Sequence, residues 1–145
     1  YPYEASTVIE SVKKIKRKYD FIIIDSPPSI TFDTIQILQS SDRIYVPVLP
    51  SPIDLMATIP FLNLVKQQRK KAMIILNRVL PRAKLTYAMI LRLRYAGAKI
   101  ARSRISSKVI FAETYSVGRG VIDINVTSDA SREIINIGNE IIRNF

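Results

Sequence analysis

Four consecutive apolar residues, Phe21-Ile22-Ile23-Ile24, run straight into Asp25 and then into Ser26-Pro27-Pro28-Ser29. An apolar, β-branched run without polar alternation suits a strand covered on both faces, as in a parallel sheet. Two prolines in a row remove consecutive donors and fix the backbone, so Ser26 to Ser29 must be loop. This strand-then-stop pattern recurs. Arg43 to Leu49 reads as a strand closed by Pro50-Ser51-Pro52, Ala72 to Leu76 as a third strand ending at Asn77-Arg78, and Lys99 to Ile105 as a fourth.

Helical spacing fills the intervals. Val8, Ile9, Val12 and Ile15 mark a helix within Glu4 to Lys18, and Phe32, Ile35 and Leu38 mark one within Thr31 to Ser40. Asp54 is placed to cap a helix running toward Lys70, with Pro60 in its second turn. Leu85 to Tyr95 reads as helix, Lys108 to Thr114 as a short helical turn, and Ser116 to Asn125 as loop. Asp129 is placed to cap a last helix carrying Ile134, Ile137 and Ile141 on one stripe. Strands alternating with helices specify an α/β fold, a doubly wound and mostly parallel sheet with helices on both faces. The 145 residues suffice for a single domain, 1–145, and show no internal repeat or linker.

The chain has no Cys, no His and no Trp. Disulfides, Cys/His metal sites, thiol nucleophiles and every Ser-His-Asp arrangement are thereby excluded. No apolar run approaches the roughly 20 residues of a membrane span, and Tyr1-Pro2-Tyr3-Glu4 carries neither a basic leader nor an apolar signal core. A cytoplasmic location is the default expectation.

The net charge is +10 and unevenly spread. Between Leu55 and Ala112 there are 13 basic residues and no acidic one, whereas the rest of the chain holds 9 basic and 12 acidic residues. A polyanionic partner is the natural inference. A generally basic solvated face is the plainer reading, but such faces ordinarily mix signs.

In doubly wound folds ligands sit at the carboxyl ends of the strands, and Asp25 and Asn77 both fall at such ends. Asp25 could instead be a helix cap, and Asn77 an ordinary turn residue at a strand end. The continuation Asp25-Ser26-Pro27-Pro28 narrows the choice: here the sequence resembles the ParA/MinD family of deviant P-loop ATPases. Val46-Pro47-Val48-Leu49-Pro50-Ser51-Pro52-Ile53-Asp54 looks like the strand and loop that follow in small plasmid-type ParA proteins. Ile75-Leu76-Asn77-Arg78 is similar to the strand end where the family places an adenine-contacting Asn. The resemblance extends over nearly the whole chain.

The resemblance implies ATP and magnesium as cofactors in the intact family. Asp25 would be the catalytic Walker B aspartate, reaching magnesium through water. Ser26, Pro27 and Pro28, continuing to Ser29, would form the switch that senses the γ-phosphate. Asn77 and Arg78 would face the adenine, and Pro50 to Asp54 would lie near a nucleotide-sandwich dimer interface. The departure from the family is large, because the Gly-rich phosphate-binding loop is absent. Glycine occurs only at 97, 118, 120 and 138, and none is followed by Lys-Ser/Thr. The first strand, P-loop, first helix and next strand of the family are thus expected to be missing here, and ATP hydrolysis is not expected of this polypeptide alone.

The family further implies a homodimer when complete, a ParB-like centromere-binding partner, and non-specific DNA binding on the nucleoid. For the DNA contacts the basic segment supplies Arg82, Lys84, Arg92, Arg94, Lys99, Arg102, Arg104 and Lys108. Arg92 and Arg94 lie two apart and cannot share a helix face. The competing reading is a catalytically inactive, nucleotide-independent DNA-binding or interaction module. Membrane attachment of the MinD kind is disfavoured: Glu133 to Phe145 has one cation, Arg143, against Glu133 and Glu140. Iron–sulfur carrier relatives need paired cysteines, which the chain lacks.

Overall fold

The computed structural model describes residues 5–27 and 31–143. Ten elements follow in order: α1 (Ala5–Ile15), α2 (Phe32–Ser40), β1 (Ile44–Val48), α3 (Pro52–Gln67), β2 (Ala72–Leu76), α4 (Lys84–Tyr95), β3 (Lys99–Ile100), α5 (Ile110–Ser116), α6 (Val121–Ile124) and α7 (Asp129–Ile142). The chain divides into two compact units. One holds residues 1–44 and 61–71, the other 45–60 and 72–145.

In the first unit α1 packs with α2. Lys70 Nζ donates to the carbonyls of Gln39 and Ser41, both at 2.8 Å. Those carbonyls lie at the C-terminal end of α2, where a cation is favoured. One of the 13 cations of the basic stretch therefore has a structural task. Arg69 closes α3 at φ 54°, and the Lys70 amide reaches back to Val65 O at 3.0 Å. This is the left-handed exit that usually takes glycine.

Phe21 to Ile24 departs from expectation. The segment is extended, but it forms no sheet strand, and Phe21 and Ile23 are 52% and 93% exposed. An apolar run becomes a strand only where a neighbour completes its ladder, and hydrophobicity alone does not supply that neighbour. Ser26 and Pro27 continue as exposed, irregular chain; Pro28 and Ser29 lie outside the described residues.

The second unit contains the sheet, ordered β1-β2-β3, with β2 and β3 parallel and Met73 opposite Lys99. β2 is the expected continuous apolar run, and Met73, Ile74, Ile75 and Leu76 are all buried. Leu93 and Met89 of α4 join them in the core, at 0% and 2% exposure. The fourth expected strand, Lys99 to Ile105, is regular for two residues only. Beyond Ile100 it stays near β2 through isolated bonds, Ile105 N to Leu76 O at 3.0 Å and Val79 N to Ile105 O at 2.9 Å.

Two helix starts are corrected. Ser51, not Asp54, caps α3: its Oγ accepts the Asp54 amide at 3.1 Å. Ser128, not Asp129, caps α7, accepting the Ser131 amide at 3.2 Å. Ser128 has the extended backbone that a cap requires, and Ser51 stands directly before Pro52, the first helical residue of α3. Pro60 stands inside α3 without ending it. The stretch read as loop from Ser116 to Asn125 contains α6, held to α7 by Ser131 Oγ, which lies 2.9 Å from Val121 O and 2.6 Å from Asn125 O.

Candidate functional site

Asp25 and Ser26 belong to the first unit and Asn77 and Arg78 to the second. Asp25 ends the extended Phe21–Ile24 segment and is exposed. Among the described residues no three or more carboxylates converge as metal ligands.

Asn77 follows β2 directly. Its amide donates to Val48 O at 2.9 Å, which ties the strand end to β1. Its Oδ1 accepts the Arg78 amide at 2.9 Å. Arg78 is exposed and sits at φ 51°, a conformation that costs a non-glycine residue about 1–2 kcal/mol. Such local strain clusters at ligand sites.

Gly120 is not free to cradle a phosphate. The Gly120 amide donates to the Asp123 carboxylate at 2.9 Å, at the start of α6. An amide already holding a carboxylate of its own chain is not open to a phosphate. A Cβ at Gly120 would also lie 3.3 Å from Asp123 Oδ2.

The basic residues lie in the second unit. Arg82 and Lys84 begin the α4 region, Arg92 and Arg94 lie on α4, and Lys99, Arg102 and Arg104 lie on and after β3; all seven are exposed. Arg82, Lys84, Arg92, Arg94 and Arg104 form no ion pair among the described residues. Lys108 differs: its Nζ is 2.9 Å from Glu133 Oε1 and the pair is partly buried. Its cation is committed to α7.

The residues sequence reasoning missed are Glu133 and Glu140. Glu133 accepts the Ser106 amide and hydroxyl, each at 2.8 Å. Glu140 accepts the amides of Arg102 at 2.8 Å and Ser103 at 2.9 Å. Burial pushes both carboxyls up, but the amide bonds and neighbouring cations outweigh it and hold both below the ordinary range. Their spacing, seven residues apart on one helix face, was the available signal.

A family model described as an AAA domain matches residues 3–80, more than half of the chain. The chain belongs to that family, among the ParA/MinD ATPases. It is 29% identical over 141 residues to the maintenance of carboxysome distribution protein A of Halothiobacillus neapolitanus, covering 92% of this chain and 65% of that protein. Among solved structures, the cell division ATPase MinD of Pyrococcus furiosus superposes with TM-score 0.81 at 18% identity, over 98% of this chain and 60% of that one. A ParA family ATPase from Chlorobium tepidum gives 0.77 at 24%, over 92% and 55%. These likenesses establish the α/β fold with its parallel sheet. The chain therefore spans between 55% and 65% of the length of these relatives. No helix among the described residues is long and apolar enough to cross a membrane.

Proposed function

We propose that this chain is part of a ParA-like partition ATPase that acts in DNA segregation through MgATP-dependent dimerisation and non-specific DNA binding. The observation that carries the DNA element is the set of exposed cations at Arg82, Lys84, Arg92, Arg94 and Arg104, without ion-pair partners among the described residues. Unpaired surface cations attract phosphate backbones without reading sequence. Lys99 and Arg102 extend the same segment, while Lys108 contributes mainly to stability. A ParB-like protein would be the regulatory partner, and the nucleoid the place of action.

In the nucleotide element, MgATP would supply the phosphates that complete a dimer. Asp25 would orient a magnesium-bound water, Ser26 and Pro27 with Pro28 would follow the γ-phosphate, and Asn77 with Arg78 would contact the adenine. The Gly120 amide would not cradle a phosphate, because it is already occupied by Asp123.

That occupied glycine favours one second reading, a nucleotide-independent DNA-binding or interaction module. Titration of labelled duplex DNA at several salt concentrations, with and without MgATP, tests both. Neutralising about six phosphates gives a slope of about −5 of log affinity against log salt. Affinity raised by MgATP supports the first reading, equal affinity the second, and binding indifferent to salt contradicts both.

A further inference from the structure

The loop from β2 to α4 and the segment after β3 enclose a cleft of about 210 Å³ within the second unit, walled in part by Arg82, Thr86, Tyr87, Arg104 and Ser106. Arg82 and Arg104 thus both line one cleft, and neither forms an ion pair with a carboxylate among the described residues. No acidic residue occurs between Leu55 and Ala112 to offset them locally. Two like charges on one cavity repel unless an anion lies between them.

A second observation is independent of the first. Thr86 is only 3% exposed, yet its Oγ1 has no hydrogen-bond partner among the described residues. Buried polar atoms left alone in a folded protein call for a missing water, ion or ligand. Thr86 stands in the first turn of α4, which starts from Ala83 with no side-chain cap. The first amides of a helix are ordinarily orphan donors at the positive end of its dipole; here the Thr86 amide already donates to Ala83 O at 3.1 Å, which leaves those of Lys84 and Leu85 to an anion. Arg82, immediately before, is held at φ 57°, a strained conformation for a residue with a side chain.

We infer that this cleft is a receptor for one phosphate-type oxyanion, gripped by the guanidinium groups of Arg82 and Arg104 over the amino end of α4. Planar guanidinium forks match phosphate oxygens in geometry as well as in charge. Ser106, fixed by Glu133 at its amide and hydroxyl, holds the opposite wall in place. The receptor requires only phosphate chemistry; identifying the anion as a DNA backbone phosphate rests on the DNA reading above.

The test is a titration of the ¹⁵N-labelled full chain, first with inorganic phosphate at constant ionic strength and then with a short DNA duplex. Phosphate is expected to shift the amides of Lys84, Leu85 and Thr86 saturably. Arg104→Gln should weaken that binding about tenfold, the value of one charge-assisted hydrogen bond. Arg82→Gly should weaken it similarly, and because glycine relieves the left-handed backbone there, the loss cannot be ascribed to unfolding. Arg119→Gln, an exposed cation outside the cleft, should leave phosphate affinity unchanged. If the duplex moves the same amides and blocks phosphate, the anion is a DNA phosphate. If phosphate shifts them and the duplex does not, the ligand is a free phosphate-type anion. No saturable shift with either probe, an equal shift with chloride, or an equal loss in Arg119→Gln would overturn the proposal.

Discussion

Glu133 of α7 grips Ser106 twice, accepting its amide and its hydroxyl at 2.8 Å each. With Lys108 at 2.9 Å on the same carboxylate, one side chain fixes the segment after β3 that regular pairing no longer holds. Glu133→Ala should therefore destabilise the fold by about 2 kcal/mol, since it strands an amide, a hydroxyl and a cation together. Urea unfolding measures this, and Glu133→Gln, which keeps an acceptor, should cost less.

Acid should act through the same carboxylates. Glu133 and Glu140 are held below the ordinary carboxyl range in the folded state. A depressed folded pKa gives stability that is fully present above the unfolded value, about 4.3 for Glu. It is lost as pH falls through the lower folded value. The urea midpoint should stay level from about pH 6 to 5 and fall below about pH 4. The double variant Glu133→Gln, Glu140→Gln should be less stable at neutral pH and lose less on acidification.

Leu93 is fully buried on α4 against the sheet unit's core. Leu93→Ala should cost about 3 kcal/mol through lost transfer energy and an unfilled cavity. Leu91, 66% exposed two residues earlier, should tolerate alanine with little change in the thermal midpoint.

Capping gives a sharper contrast between neighbours. Ser128→Ala removes the hydroxyl that accepts the Ser131 amide and should destabilise by about 1 kcal/mol. Asp129→Ala should leave stability nearly unchanged, because its ion pair with Arg132 is exposed. The reverse order in thermal unfolding would restore Asp129 as the cap.

What could be read from the sequence was local. Ala72 to Leu76 needed no partner information, since five apolar residues between Lys71 and Asn77 define a buried strand by themselves. Phe21 to Ile24 is likewise an apolar run but is not a sheet strand, because strand formation depends on a neighbour that periodicity cannot show. Ser51 and Asp54, or Ser128 and Asp129, are equally good cap formers on paper; backbone conformation chooses between them. Glu133 and Glu140 were visible as charges on an amphipathic helix, but the amides they serve lie 27 to 38 residues earlier. The Arg82–Arg104 cleft likewise exists only once β2 and β3 lie side by side. Asn77 was legible as a strand-end polar residue and directly follows β2, whereas Asp25 ends an extended segment that is not a sheet strand.

The central claim is that the cations from Arg82 to Arg104 hold DNA by its phosphates. The most direct measurement compares the salt dependence of duplex binding for the native chain and for Lys84→Gln, Arg92→Gln, Arg94→Gln combined. Each phosphate contact contributes about −0.9 to the slope, so the account expects a change from about −5 to about −2.5, with weaker affinity at every salt concentration. An unchanged slope in the triple variant would contradict it and would place the DNA contacts elsewhere on the chain.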